Sequence, residues 1–196
     1  MNRNITLSAA MATAIICGVA STSSVALELD SENSRVSLVS TKVLADGKAS
    51  VLEVFSFSSL SGSVADDGAA SVVIDLETVD TGIGIRDQRM GEFFFKVAKY
   101  PAATITTQIP ESVLEEGSQV MELPVSVNMH GNDVEYMVPV IVTSSTDNIM
   151  AVAVEPVLVD ATAFKLEGGL GKLGELAGLL HIPTTVPVSF SLSFNR

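Results

Sequence analysis

The sequence predicts an all-β protein, a closed antiparallel barrel of about eight strands with one or two short helices. Three observations predict it. Apolar and polar residues alternate at period two along most of the chain, the pattern of strands with one buried face. Residues that tolerate positive φ or bond their own backbone separate these runs, as antiparallel neighbours require. Only two stretches carry apolar residues three and four apart, the spacing of helical turns. Closure follows because the open edges of so many strands would invite aggregation. A two-sheet sandwich built from the same strands is the competing architecture.

In chain order, residues 1–26 come first. Arg3 supplies a positive start, Ile5 to Ala20 an apolar run, and Ser24-Val25-Ala26 a small-residue end, which is the layout of an export signal cleaved after Ala26. Residues 27–196 then form one domain. Its first expected strands are Arg35 to Val39 and Val51 to Phe57, in which Phe55 and Phe57 alternate with Ser56 and Ser58 and so face inward. Val72, Ile74 and Leu76 share a face opposite Val73, Asp75 and Glu77. Ile83 to Val97 is the first helical excursion. Strands follow at Thr104 to Ile109, at Leu123, Val125, Val127 and Met129, at Val134 to Val142, and at Ile149 to Val154. Gly168 to Leu180 is the second helical excursion. Thr184 to Phe194 alternates most cleanly, with Val186, Val188, Phe190, Leu192 and Phe194 opposite Pro187, Ser189, Ser191 and Ser193. Turn chemistry punctuates these runs at Asp46-Gly47, Asp66-Asp67-Gly68, Glu116-Gly117, Gly131-Asn132-Asp133 and Asp147-Asn148.

Composition narrows the function. Cys17, the only cysteine, lies in the segment to be removed, so no disulfide, thiol nucleophile or cysteine metal site is expected in the processed chain. Ala14-Ile15-Ile16 before Cys17 is a poor lipoprotein signal. Loss of Arg3 leaves 10 basic residues against 23 acidic ones, a net charge of −13. Such a surface repels phosphate backbones and anionic lipid headgroups, which argues against nucleic acid as a partner. No later segment is long and apolar enough to read as a membrane-spanning helix.

Catalytic motifs are sparse. Asp80-Thr81-Gly82 matches the aspartic-protease triplet, but that chemistry needs two such carboxylates and there is no second copy. A strand end followed by a turn is the plainer reading. Gly169-Leu170-Gly171-Lys172-Leu173-Gly174 satisfies the glycine pattern of dinucleotide binders without its strand–helix–strand setting, and reads better as a short apolar helix forming a lid. His130 and His181 sit beside turn residues, and the pairs Asp66-Asp67 and Glu115-Glu116 fall in loops. No catalytic residue, cofactor or metal site is assigned. Phe93-Phe94-Phe95 stands apart, because three adjacent rings cannot all face one small interior. Two are explained by burial, and a ligand entrance would explain the third.

At Thr81 to Pro101 the residues suffice to suggest a family. Thr81-Gly82, Arg86-Asp87, Phe94-Phe95 and Lys99-Tyr100-Pro101 together resemble the YceI-like domain, with Arg89 where that family commonly has His. The likeness extends over nearly all of residues 27–196, from Asp30 to Leu38 through Met129-His130-Gly131 and Phe164 to Leu170 to the closing run Val186 to Phe194. The resemblance implies an extended, lipocalin-like antiparallel barrel that is not an enzyme. It would hold a long apolar molecule, a polyisoprenoid, isoprenoid quinone or fatty-acid derivative, in the periplasm or outside the cell. Burying about ten methylenes offers a gross gain of about 8 kcal/mol. The residues expected to line the ligand are Phe55, Phe57, Ile74, Leu76, Ile105, Val125, Val127, Val138, Val140, Phe164 and Leu170, with Phe93, Phe94 and Phe95 at the entrance. A homodimer is left open. The rival readings are an envelope interaction module acting through its acidic exterior or the Phe93 to Phe95 patch, and an enzyme using Asp80, Asp87 or His130 at the barrel mouth.

Overall fold

The computed structural model describes residues 26–115 and 117–196. The expected export signal therefore lies, apart from Ala26, outside the described residues, as does Cys17. The first half of the domain runs β1 (Leu27–Leu29), β2 (Arg35–Leu44), β3 (Ser50–Phe57), β4 (Leu60–Val64), β5 (Ala69–Asp75), β6 (Val79–Asp80), α1 (Gly84–Arg89), a wide π-type turn (Met90–Phe95) and β7 (Ala102–Gln108). The second half runs α2 (Glu111–Leu114), β8 (Gly117–Met129), β9 (Asn132–Ser144), β10 (Asn148–Ala153), β11 (Val157–Asp160), a 3₁₀ turn (Ala161–Phe164), α3 (Glu167–Ala177), β12 (Leu179–His181) and β13 (Thr185–Asn195).

Eight of these strands close a ring in the order β1-β4-β5-β7-β8-β9-β10-β13, sealed by the pairs Glu28 with Asn195 and Leu29 with Phe194. Ring closure sets the sandwich aside. Strand β13 is long enough to belong to two tiers. Its C-terminal half sits between β10 and β1, while its N-terminal half carries β11 on one side and β2 on the other. Strand β2 pairs in turn with β3 and β12, so the wall continues above the ring and the barrel is drawn out along its axis. Polar side chains fix both sides of the end of β13: at the seam Asn195 Nδ2 donates to Asp30 Oδ2 at 2.9 Å, and from β10 Asn148 Nδ2 donates to the Phe194 carbonyl at 3.2 Å.

The structure adds elements that the alternation does not announce. Strand β4 is short and contains Gly62, where a Cβ would lie 2.2 Å from the Ser71 carbonyl oxygen, so the two backbones approach only because no side chain intervenes. Strand β2 continues five residues past Val39 to Leu44. Its inward face includes Lys42, and a charge on that face hides the period. Leu76 leaves the strand and begins a 3₁₀ turn whose cap is the Asp75 side chain, accepting the Glu77 N–H at 3.0 Å. Leu179 and Leu180 belong to β12 and not to the second helix, because Gly178 ends α3 in the left-handed region at φ 63°. With α2 there are three short α-helices among the described residues, one more than expected.

The lower end of the barrel is closed by buried apolar side chains, most of which also border the interior cavity. Val64, Val72, Ile109, Leu123, Val142 and Phe194 converge there, and Val113 of α2 closes the end from below. Ser144 Oγ donates to the Val113 carbonyl at 2.7 Å and holds that plug in place. At the upper end the π-type turn and α3 pack against each other across Gly169, whose missing Cβ would lie 2.8 Å from both the Phe93 carbonyl oxygen and the Phe94 Cα. The glycine pattern of this segment thus serves close helix packing. Gly169→Ala is expected to destabilise the fold by about 1–3 kcal/mol and to speed amide exchange across residues 167–177 while leaving the strands below protected.

Candidate functional site

Above this floor of buried side chains the barrel encloses a cavity of about 640 Å³. That lies within the range of small-molecule sites. Its wall is the inward face of the alternating strands: Val36 and Leu38 of β2, Phe55 and Phe57 of β3, Ile105 of β7, Val125 and Val127 of β8, Tyr136 of β9, and Val188, Phe190 and Leu192 of β13. Many of these are only half-buried although they point inward. The reason is that their neighbour across the lumen is empty space, not protein. Side chains facing a gap lose dispersion contacts on that side, which an apolar guest would restore.

The inward set contains ten of the residues expected to line a ligand: Phe55, Phe57, Ile74, Leu76, Ile105, Val125, Val127, Val138, Val140 and Leu170 all reach the cavity. Val138 and Val140, each 2% exposed, stand where the cavity meets the floor, and Leu170 comes down from α3. Phe164 does not line the cavity. Its ring is completely buried beside the wall against Val127, Val134 and Tyr136, because the 3₁₀ turn that carries it points the ring into a satellite core. Of the three expected entrance rings, Phe94 and Phe95 reach the cavity and Phe93 does not. The wide turn directs consecutive side chains apart. Phe95 packs on Phe57 at 6.1 Å between ring centroids and on Phe94 at 4.7 Å, whereas Phe93 meets Gly169 of α3 through its backbone carbonyl.

Four charged residues also reach the cavity: Lys42, Glu53, Arg86 and Arg89. Sequence reading missed them, although Lys42 is in phase with Val36 and Leu38, and Glu53 with Phe55 and Phe57. Glu53 Oε2 accepts from Lys42 Nζ at 2.9 Å and from Arg86 Nη1 at 2.7 Å. Burial alone would raise the Glu53 pKa, but these two cations and their hydrogen bonds outweigh it, and the carboxyl is held below its ordinary value. Arg86 is gripped further. Its Nε donates to Thr81 Oγ1 at 2.8 Å, its Nη2 donates to the Thr81 carbonyl at 2.6 Å, and its guanidinium lies 4.8 Å from the Phe55 ring centroid. Asp87 completes the arrangement by accepting the Thr81 N–H at 2.9 Å. The Thr-Gly and Arg-Asp pairs of the sequence are therefore one structural knot, tying α1 to the end of β6.

Of the residues considered for catalysis, Asp87 lies in α1 and the others lie in turns and at strand ends. Asp80 Oδ1 accepts the Gly82 N–H at 2.8 Å in a tight turn, with Gly82 at φ 75°. His181 is exposed at the end of β12. Among the described residues no three His, Cys, Asp or Glu side chains could together hold a metal ion. His130 and Gly131, at φ 53° and 75°, form the two-residue turn between β8 and β9, and the imidazole lies against Tyr100 at 4.1 Å between centroids. Burial above all, and then Lys96 and Lys99, hold the His130 pKa below its ordinary value, with the Phe164 carbonyl opposing them. The folded state thus takes up a proton on this imidazole less readily than the unfolded chain, which does so below about pH 6.5. Stability is expected to be complete above that pH and to decline as the pH falls through it. His130→Asn, which tolerates the left-handed backbone, should flatten that slope, as read from urea midpoints at about pH 5 and pH 7.5.

A family model described as the YceI-like domain matches residues 27–194. The chain belongs to the YceI-like family. Among solved structures, this YceI-like barrel is similar to a polyisoprenoid binding domain from Saccharophagus degradans implicated in plant cell wall breakdown, at 33% identity and a TM-score of 0.80, covering 86% of this chain and 97% of that one. BcnA of Burkholderia cenocepacia shares the fold at 21% identity and a TM-score of 0.64, over 84% and 98% of the two chains. The YceI protein of Campylobacter jejuni does so at 14% identity and 0.52, over 72% and 84%. No curated protein sequence matches the chain. Among the described residues of the YceI-like barrel, no helix is long and apolar enough to cross a membrane.

Proposed function

We propose that this chain binds a single long apolar amphiphile, a polyisoprenoid, isoprenoid quinone or fatty-acid derivative, within its lumen and carries or sequesters it without chemical change, in the periplasm or outside the cell. The observation that carries the reading is the lumen itself: a cavity of about 640 Å³, walled by apolar side chains and closed below by buried ones. A cavity closed at one end suits a slender molecule that enters tail first. Each methylene moved from water onto such a wall contributes about 0.8 kcal/mol before the costs of ordering the chain. The polyisoprenoid-binding relative at 33% identity supports the ligand class, and the export-signal layout of residues 1–26 supports the location. Native mass spectrometry of the protein purified from its source, followed by organic extraction, tests the proposal. A stoichiometric adduct that extracts as a long-chain amphiphile is expected, whereas an empty protein that also fails to take up added long-chain compounds would remove the reading.

A further inference from the structure

We propose that the mouth of the lumen selects an anionic headgroup, a phosphate or a carboxylate, over the neutral alcohol of the same chain. The inference rests on the lumen-binding reading and specifies its ligand. Its basis is where charge sits on the wall. Apart from Lys42, Glu53, Arg86 and Arg89, the residues facing the cavity are uncharged at neutral pH, and three of those four are cations in a chain whose net charge is −12. The nearby Asp87 carboxylate engages Thr81 and is not part of the wall. Glu53 offsets one positive charge, so the wall keeps a surplus.

That surplus lies at the opening. Lys42 and Arg86 side chains are 28% and 22% exposed, and the adjoining Ile83 and Ile85, which also border the cavity, are exposed to solvent. An amphiphile inserted tail first leaves its head at this level. The donors there are held ready and not fully used. Arg86 is fixed by Thr81, Glu53 and Phe55. Lys42 gives one bond to Glu53 and keeps its other protons. Arg89 reaches the cavity without an ion pair or hydrogen bond among the described residues. Lys42 and Arg89 can therefore turn toward an oxyanion while Arg86 holds Glu53 in place. Charge-assisted bonds of this kind, in a partly desolvated mouth, are stronger than those to a neutral hydroxyl.

The test is calorimetric titration of the full-length chain with farnesyl phosphate, farnesol, palmitate and hexadecanol. Farnesyl phosphate or palmitate is expected to bind at least about tenfold more tightly than its alcohol at low salt, with the advantage shrinking as salt screens the charges. A preference confined to the phosphate would point to a phosphorylated lipid, and one shown by both anions to the oxyanion in general; each supports the proposal. The double variant of Lys42→Met with Arg89→Gln should still take up farnesol but discriminate less than about threefold. Alcohols bound as tightly as anions, or a preference that survives the double variant, would overturn the headgroup proposal and leave the lumen reading standing. Failure of all four compounds to bind would overturn both.

Discussion

Val127→Phe combined with Val188→Phe is expected to lower affinity for a long apolar ligand by at least about a hundredfold, equivalent to about 2.7 kcal/mol, while the barrel stays folded. Both valines are half-buried residues of the cavity wall, on β8 and β13. Added volume in a packed core ordinarily costs about 1–3 kcal/mol through forced side-chain shifts. Here the new rings extend from half-buried wall positions toward the open lumen, and only Val127 also touches the cluster that holds Phe164, so the melting temperature should fall by no more than a few degrees. Circular dichroism and thermal melting measured beside ligand uptake separate this outcome from misfolding. Undiminished uptake with phenylalanine at both positions would show that the ligand binds elsewhere.

Phe164→Ala is expected to act in the opposite manner, on stability first. The ring is completely buried between the 3₁₀ turn and the barrel wall, and removing such a ring costs about 3–5 kcal/mol. For a domain of this size that corresponds to a fall in melting temperature of about 10 °C or more. Binding should weaken as well. The anchored segment continues into Leu166 and Leu170, which both reach the cavity, and loosening it removes part of the wall. A variant that melts like the wild type would show that this satellite core contributes little to the fold.

How far the sequence discloses this molecule depends on which force shapes each part. The regular wall is legible: in β8, β9 and β13 one face meets the interior and the other meets water, so period two survives and the inward residues can be named. Phe55, Phe57, Ile105 and Val127 follow directly from that pattern. The mouth is harder to read because a charged residue there faces the same interior as an apolar one. Lys42 and Glu53 break the hydrophobic period while keeping the geometric one. Their partner Arg86 comes from a different element, 33 residues beyond Glu53. Phe164 lies apart from the cavity lining for a related reason. Its burial is visible from its type, but whether a buried ring faces a cavity or a satellite core depends on the turn carrying it, fixed by Asp160 accepting the Thr162 N–H and by Lys165 in the left-handed region.

The seam between β1 and β13 has a consequence for how the molecule assembles. Strands from opposite ends of the domain meet there, Leu29 beside Phe194, so the barrel cannot close until its last strand is present. Contacts so distant in sequence pay their loop-closure entropy before returning any stability, which predicts slow folding with seam formation late. Until then the lumen is an open, curved apolar sheet with two unpaired edges, the form most prone to pair with another chain. A chain truncated before Thr185 should therefore aggregate and not persist as a smaller barrel.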